Sequence, residues 1–227
     1  MAGHWFCEQN TPGYSVQWKV LQQLHQETTP FQELTIAELA EWGRTLILDG
    51  AVQYTEKDEF VYHEMIAHVP LMSHPHPQQV LIIGGGDGGT LREVLKHPQV
   101  ARVDMVEIDR RVVEICKAYL PGVASGFEDP RTRLHIDDGI NYVRETGQKY
   151  DVILIDSSDP VGPAIQLYSR SFYLDIYNAL ADDGMLAVQS ESPLYYGQIF
   201  DTVVANLKDI FPITRVYLAT VPTYVSG

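Results

Sequence analysis

The sequence is poor in cysteine and has no long apolar run. Its two cysteines, Cys7 and Cys116, lie far apart and form no metal-ligand spacing. A disulfide framework is therefore not expected, and both are predicted to be free thiols, as in a reducing compartment. No run of about 18 apolar residues occurs, and the first residues lack the basic start and apolar core of a secretory signal. These absences predict a cytoplasmic protein with no membrane partner.

Positive charge is also scarce. Lysine and arginine total 16 against 30 aspartates and glutamates, which gives a formal net charge of -14. Such a field repels phosphate backbones and attracts cations, so nucleic acid is not expected as a partner. His74 and His76 alternate with prolines, but nothing nearby supplies further ligands, and no metal site is predicted.

The chain divides into two regions by its pattern. Residues 14–55 contain short apolar and polar runs, and Asp49-Gly50 between two of these runs is a hairpin signal. Residues 60–69 have apolar residues at helical spacing. We assign residues 1–65 to a small N-terminal β-strand module and residues 66–227 to a Rossmann-like catalytic domain.

The second region alternates short apolar strands with helices. Strands are predicted over residues 80–83, 102–106, 134–136, 150–155 and 185–188, and helices over residues 90–96, 110–119, 140–144, 169–180 and 198–210. With 45% hydrophobic residues, the chain can bury one substantial core. The alternation predicts an α/β fold with a mostly parallel, doubly wound sheet.

A glycine-rich turn follows the first of these strands. Gly84, Gly86 and Gly89 satisfy the G-x-G-x-x-G spacing between a strand and a helix, which permits a ligand to approach the backbone closely. Such turns also occur as plain structural elements. Glu107, at the end of the next strand, strengthens the prediction of a nucleoside site, because an acid there can accept both ribose hydroxyls.

Asp87, inside this turn, argues against a dinucleotide. Its carboxylate would lie where the pyrophosphate belongs, and two like charges in a partly buried crevice repel by several kcal/mol. A cationic adenosyl sulfonium removes this conflict. Because S-adenosylmethionine brings a carboxylate of its own, Asp87 favours the decarboxylated form.

Carboxylates recur wherever a predicted strand ends. They are Asp87, Glu107, Asp137, Asp138, Asp156 and Asp159. Helix capping alone would explain one or two of them, and Asp137 is the expected cap. The whole row, at one edge of a parallel sheet, predicts a ligand with several positive charges, because clustered carboxylates raise one another's pKa values and need a compensating cation.

These motifs together closely resemble the spermidine synthases, also called polyamine aminopropyltransferases. The resemblance rests on residues 54–65, 84–89, 106–109, 137–139, 156–163 and 222–224 and spans roughly the whole chain. It implies a Rossmann-like sheet of the S-adenosylmethionine-methyltransferase type. It also implies a homodimer or homotetramer. Relatives continue past the position of Gly227, so the C-terminal part is expected to be shortened relative to the family.

The resemblance also implies residues for the nucleoside. Glu107 is expected to hold the ribose hydroxyls, and Asp138 and Gly139 to recognise the adenine. Gln32 is expected to touch the nucleoside, and Pro163 to line the adenine pocket.

For the amines, the resemblance implies a second set of residues. Asp87 is expected to anchor the aminopropyl arm, Asp156 to act as general base and Asp159 to bind the far amine. The polyamine channel is completed by Tyr62, which also orients the acceptor in the reaction, and by Gln53, His63 and Tyr224. The loop over residues 157–170 resembles a gate over the substrates.

The expected reaction transfers the aminopropyl group of decarboxylated S-adenosylmethionine, a co-substrate, to putrescine, and no cofactor is tightly bound. The products are spermidine and 5'-methylthioadenosine. The sequence leaves open agmatine, cadaverine or spermidine as the acceptor. It also leaves open a methyltransferase and a non-catalytic polyamine or nucleoside binder.

Overall fold

The computed structural model of the chain describes residues 4–157 and 162–224, with the side chains of residues 162–164 left out. Within these residues, the strands form two five-stranded sheets, one antiparallel and one parallel.

The antiparallel sheet contains the N-terminal part of the chain. Its strands are β1 (His4–Thr11), β2 (Tyr14–Thr28), β3 (Glu33–Leu39), β4 (Gly43–Leu48) and β5 (Ala51–Thr55). Each strand pairs with the next along the chain. The predicted hairpin is confirmed: Asp49 and Gly50 have φ values of 49° and 79°, as a two-residue hairpin loop requires. The sequence patterns missed β1, in which only one residue is buried and which shows no clear apolar alternation.

The parallel sheet follows, and its strands and helices alternate along the chain. Its strands are β6 (Gln79–Gly84), β7 (Arg102–Glu107), β8 (Thr132–Ile136), β9 (Tyr150–Asp156) and β10 (Leu180–Val188), and the helices are α1 (Glu59–Ser73), α2 (Gly89–Leu95), α3 (Arg110–Tyr119), α4 (Gly139–Glu145), α5 (Arg170–Ala179) and α6 (Gly197–Ile210). The predicted α/β class and each predicted strand and helix of this region are confirmed. β10 begins earlier than predicted, with a register irregularity between Leu180 and Met185.

The strand order is β10-β9-β6-β7-β8, so β6 lies in the middle of the sheet. The chain leaves β6 for β7 on one side and later returns to β9 on the other. Such a reversal opens a crevice beyond the carboxyl ends of the central strands, where ligands of α/β proteins bind.

Both faces of the parallel sheet are covered. Val80 and Ile82 of β6 pack against α1 and α2, whereas Leu81 and Ile83 pack against α4 and α5. Burial on both faces explains why the strands have continuous apolar runs without alternation.

The antiparallel sheet packs against α3. Leu34, Ile36 and Leu46 share a buried cluster with Val112 and Ile115 of that helix. The predicted division between residues 65 and 66 falls inside α1, and it stays a prediction.

Candidate active site

The turn after β6 lies against the end of β9. Gly84 has a φ of 81°, and a Cβ there would lie 2.2 Å from the backbone oxygen of Asp156. At Gly85 a Cβ would lie 2.6 Å from Oδ2 of the same aspartate. Only glycine permits this approach. The turn and the carboxylate at the end of β9 therefore form one surface.

Asp156 has a hydrogen-bond donor on each carboxylate oxygen. The hydroxyl of Tyr62, on α1, donates to Oδ1 over 2.6 Å. The hydroxyl of Thr90, in the first turn of α2, donates to Oδ2 over 2.6 Å. The ring of Tyr62 meets that of Tyr224 edge-on, with the centroids 5.9 Å apart. Two helices thus fix the orientation of one carboxylate.

The surroundings of Asp156 make it a stronger base than an exposed aspartate. Burial raises its pKa above the ordinary value, and the charge of Asp87 raises it further, while His63 and the two hydroxyl donors oppose the shift. The pKa of Tyr62 is also raised, first by burial and then by Asp156. Tyr62 therefore keeps its proton and remains a donor.

Asp87 is the first member of a row of side chains with alternating charge, which continues through His63 and Glu59 to Arg92. Oδ1 of Asp87 accepts the N–H of Gly89 over 2.6 Å and lies 3.4 Å from Nε2 of His63. Nδ1 of His63 lies 2.5 Å from Oε2 of Glu59. Two nitrogens of Arg92 each donate to Glu59 over 2.9 Å.

His63 is a buried cation between the carboxylates of Asp87 and Glu59. Burial alone would lower its pKa, but the carboxylates of Asp87 and Glu59 raise the pKa to about 10. The ring is therefore an imidazolium at neutral pH, with a proton on each nitrogen. Its Nε2–H faces Asp87, so His63 can hold the side chain of Asp87 in place.

Glu107, the last residue of β7, faces the other side of the glycine turn. Its Oε1 accepts the N–H of Asp109 over 2.8 Å, and a Cβ on Gly86 would lie 3.0 Å from Oε2. Burial raises the pKa of Glu107 to about 7, although the N–H of Asp109 acts against the shift. Glu107 is thus an acceptor whose charge depends on pH in the neutral range.

Asp109 fixes Gln32 at the rim of the cleft. Nε2 of Gln32 donates to Oδ2 of Asp109 over 3.0 Å, and Thr29 donates to the same oxygen over 2.7 Å. The other oxygen of Asp109 caps α3 by accepting the N–H of Arg111. The loop between β2 and β3 is therefore tied to the start of α3.

The start of α4 differs from the sequence expectation. Asp138 caps this helix by accepting the N–H of Ile140 over 2.8 Å, whereas Asp137 accepts the N–H of Asp138 over 2.7 Å. The expected cap, Asp137, was therefore wrong by one residue, because α4 begins only at Gly139.

These elements surround a cavity of about 1000 Å³. Among the predicted site residues, those that line it are Gln32, Gln53, Tyr62, His63, Gly84, Gly86, Asp87, Glu107, Asp138, Gly139, Asp156 and Tyr224. Four of the six acids predicted at the strand ends, Asp87, Glu107, Asp138 and Asp156, thus line one cleft, whereas Asp137 does not. The hydroxyl of Tyr224 donates to the backbone oxygen of Gln53 over 2.6 Å, which joins two of the predicted channel residues.

Two of the predicted site residues fall in the loop after β9. Asp159 lies outside the described residues, and so does the side chain of Pro163. The predicted gate over residues 157–170 is described only in part, and Gly162–Tyr168 within it forms a 3₁₀ helix.

Comparisons with known proteins agree with this arrangement. A family model of the spermine/spermidine synthase domain matches residues 59–227, and one of the spermidine synthase tetramerisation domain matches residues 4–56. The chain belongs to the spermine/spermidine synthase family. Its activity is accordingly that of a polyamine aminopropyltransferase. In the described residues, no helix has the length and apolar character that crossing a membrane requires.

Relatives within the family are similar along the whole chain. The polyamine aminopropyltransferase of Moorella thermoacetica is 49% identical over 100% of this chain and 80% of its own length, and that of Bacillus subtilis is 46% identical over 100% and 82%. A solved spermidine synthase in complex with the transition-state analogue AdoDATO superimposes with a TM-score of 0.98 at 42% identity, covering 100% of this chain and 78% of that one. The spermidine synthase of Thermotoga maritima gives a TM-score of 0.95 at 42% identity, over 100% and 77%.

Sequence reasoning missed several residues that support the cleft of this family member. They are Glu59, Thr90, Arg92 and Asp109. The spacing of Glu59 and His63, four residues apart on a helix, was a usable signal for an ion pair. No sequence signal links Thr90 with Asp156, because the two residues meet only through the strand order.

A cluster outside the cleft has the residue types of a metal site. Ligand atoms of Glu64, His68 and Glu93 all lie within 4.8 Å of one another. Glu93 is already balanced, because Lys96 lies 2.6 Å from one of its oxygens and Arg92 lies 2.8 Å from the other. A metal ion would have to displace Lys96, so we assign none to this cluster.

Proposed function

We propose that this aminopropyltransferase transfers the aminopropyl group of decarboxylated S-adenosylmethionine to putrescine, with Asp156 as general base. The products are spermidine and 5'-methylthioadenosine. The observation that carries the proposal is the carboxylate of Asp156, which faces the cavity between two hydroxyl donors and has a raised pKa beside Asp87. A related spermidine synthase binds AdoDATO, which supports an adenosyl ligand here.

The nucleoside end of the substrate is proposed to lie at the end of β7. Glu107 accepts the ribose hydroxyls, and its position beside Gly86 supports this role. Asp138 and Gly139 contact the adenine, together with Pro163, whose side chain lies outside the described residues. Gln32, held by Asp109 at the rim, contacts the nucleoside from the antiparallel sheet.

The amines are proposed to bind on the other side of the glycine turn. Asp87 anchors the amine of the aminopropyl arm, and His63 holds Asp87 in place. Asp159, outside the described residues, binds the far amine of the acceptor. Gln53 and Tyr224, joined by their hydrogen bond, form a wall of the channel.

The chemistry requires removal of one proton. A primary amine with a pKa of about 10.4 is protonated at neutral pH and has no lone pair for attack. Asp156 accepts this proton, and the freed nitrogen attacks the aminopropyl carbon next to sulfur. The new C–N bond forms as the C–S bond breaks, and the electron pair of the broken C–S bond stays on sulfur. The sulfonium becomes a neutral thioether and the product nitrogen carries the positive charge, so no acid is needed for the leaving group.

The test is product formation from decarboxylated S-adenosylmethionine and putrescine. Competition among putrescine, agmatine, cadaverine and spermidine identifies the preferred acceptor, and a faster reaction with another amine would reassign it. Methyl transfer from S-adenosylmethionine in place of aminopropyl transfer would overturn the proposal.

Replacing Asp156 tests the general base. We expect Asp156→Asn to lower kcat roughly 100-fold or more, because general bases contribute about that much. Binding of 5'-methylthioadenosine, measured by calorimetry, should remain. Asp201→Asn, at an exposed site on α6 whose side chain does not line the cavity, is the matched control. Wild-type turnover in Asp156→Asn would refute the role of Asp156.

Assembly and compartment belong to the same proposal. The match of residues 4–56 to a tetramerisation domain supports a homo-oligomer, a homodimer or homotetramer, and light scattering distinguishes the two. The free state of both cysteines, Cys7 and Cys116, agrees with a cytoplasmic, reducing compartment.

A further inference from the structure

Thr90 is buried and contacts the candidate base directly. It is the second residue of α2, directly after the glycine turn, and its side chain is 0% exposed. A threonine further along a helix can bond its hydroxyl to the backbone of the preceding turn, but α2 has no turn before Thr90. Here the hydroxyl donates across to Oδ2 of Asp156 over 2.6 Å.

A single donor would leave the carboxylate of Asp156 free to rotate. The terminal torsion of aspartate is broad and has no steep staggered wells. Tyr62 holds only Oδ1. Thr90 supplies a second donor from another helix on the other oxygen, and two donors on opposite oxygens define the plane of the group.

The glycine turn limits the same oxygen from another side. A Cβ on Gly85 would lie 2.6 Å from Oδ2 of Asp156. Thr90 and Gly85, five residues apart in the chain, therefore both restrict the position of Oδ2. This leaves the remaining acceptor directions of the carboxylate to face the cavity.

We infer that Thr90 is a positioning residue, whose hydroxyl holds Oδ2 of Asp156 and aims the carboxylate at the amine that attacks. The inference rests on the proposed role of Asp156 as general base. Thr90 touches no substrate in this scheme and acts only through Asp156.

The hydrogen bond also affects the protonation of Asp156. A donor to the charged form of a carboxylate favours that form, and the contact with Thr90 lowers the pKa of Asp156 against the opposing effect of burial. Loss of the donor should therefore raise the pKa. The base would then lose its proton only at higher pH.

The test compares Thr90→Val, which keeps the shape and removes the donor, with Thr90→Ser, which keeps the donor. We expect Thr90→Val to lower kcat roughly 10-fold, as loss of a hydrogen bond to a charged group predicts. The acidic limb of its kcat/KM profile should move up by roughly one pH unit. Thr90→Ser should stay within about threefold of wild type. The acceptor amine titrates alike in every variant, so the difference between profiles reports on Asp156.

Controls separate this role from a structural one. Binding of 5'-methylthioadenosine should be unchanged in both variants. Thr45→Val removes another buried, hydrogen-bonded hydroxyl, in β4 away from the cavity, and should leave the pH profile unchanged. If Thr90→Val does not fold, Thr90→Ala provides the second donor-free variant.

A wild-type rate and acidic limb in Thr90→Val would overturn the inference, and so would equal losses in Thr90→Ser and Thr90→Val. Failure of the proposed base is distinguishable, because Asp156→Asn would then keep wild-type turnover whatever the result for Thr90→Val.

Discussion

The carboxylate of Glu107 lies at the proposed nucleoside end of the cleft. Glu107 has a pKa of about 7 because it is buried, and ribose hydroxyls are best accepted by a charged carboxylate. Binding of 5'-methylthioadenosine should therefore release a proton near neutral pH. We expect the affinity to rise by up to about tenfold per pH unit below about pH 7 and to level off above it. Calorimetry in buffers of different ionisation enthalpy measures both effects.

Glu107→Gln is the control for this pH dependence. The glutamine cannot ionise, so its weaker binding should be flat across the same range. The pH dependence of stability in the ligand-free protein provides an independent check. A raised pKa means that the contribution of Glu107 to stability is present at acidic pH and is lost as the pH rises through about 7. Equal pH dependence of ligand binding in wild type and Glu107→Gln would contradict the assignment.

The acidic residues of the cleft could be predicted from the sequence, but the residues that hydrogen-bond to the site residues could not. Glu107 and Asp156 follow apolar strands, and parallel strands end at one edge, so their meeting follows from the pattern alone. Thr90 and Asp109 carry no such signal. Their bonds, to Asp156 and Gln32, join segments 66 and 77 residues apart, and only the three-dimensional packing brings those segments together.

At the scale of elements, α1 and α2 are joined by the ion pair of Glu59 and Arg92. The pair has two hydrogen bonds of 2.9 Å, and the side chains are only 9% and 21% exposed. Glu59 also faces the imidazolium of His63. Burial would raise the pKa of Glu59, but His63 and Arg92 lower it overall. Its stabilising contribution is therefore present at neutral pH and lost as the pH falls through its lowered pKa.

Glu59→Gln should therefore destabilise the protein more than loss of an ordinary surface pair. Two cations would lose a partly buried partner, and we expect the free energy of unfolding to fall by about 2–3 kcal/mol. Urea unfolding at neutral pH measures this. Asp175→Asn, which breaks the more exposed pair with Arg144, is the control and should cost less than about 1 kcal/mol. Equal losses in the two variants would show that the pair of Glu59 and Arg92 stabilises the protein no more than an exposed ion pair does.

The elements themselves were predictable where burial imposes a pattern. The strands β6, β7 and β9 are buried on both faces and stand out as short apolar runs between helices. β1 has only one buried residue, so its sequence shows no apolar alternation that would separate it from a loop. The irregular start of β10 was missed because Ala181, Asp182 and Asp183 carry no strand signal.

At the scale of the whole molecule, Asp58 joins the connection between β5 and α1 to a segment 165 residues further along the chain. Thr55, at the end of β5, donates to Oδ1 over 2.6 Å. Thr223 donates to Asp58 through both its backbone N–H and its hydroxyl over 2.9 Å. Asp58 directly precedes α1. One buried carboxylate therefore connects the antiparallel sheet, the helix that carries Tyr62 and His63, and the segment that carries Tyr224.

Asp58→Ala should release the C-terminal segment without disturbing the nucleoside end of the cleft. Tyr224 would lose its fixed position beside Tyr62, and we expect the KM for the acceptor amine to rise roughly 10-fold, in line with the loss of hydrogen bonds to a buried charge. Hydrogen exchange of residues 222–224 should accelerate, whereas the affinity for 5'-methylthioadenosine should stay unchanged. Thr223→Val, which keeps the backbone bond, should give a smaller effect of the same sign. Unchanged exchange together with an unchanged acceptor KM in Asp58→Ala would contradict the claim that Asp58 holds the segment that carries Tyr224.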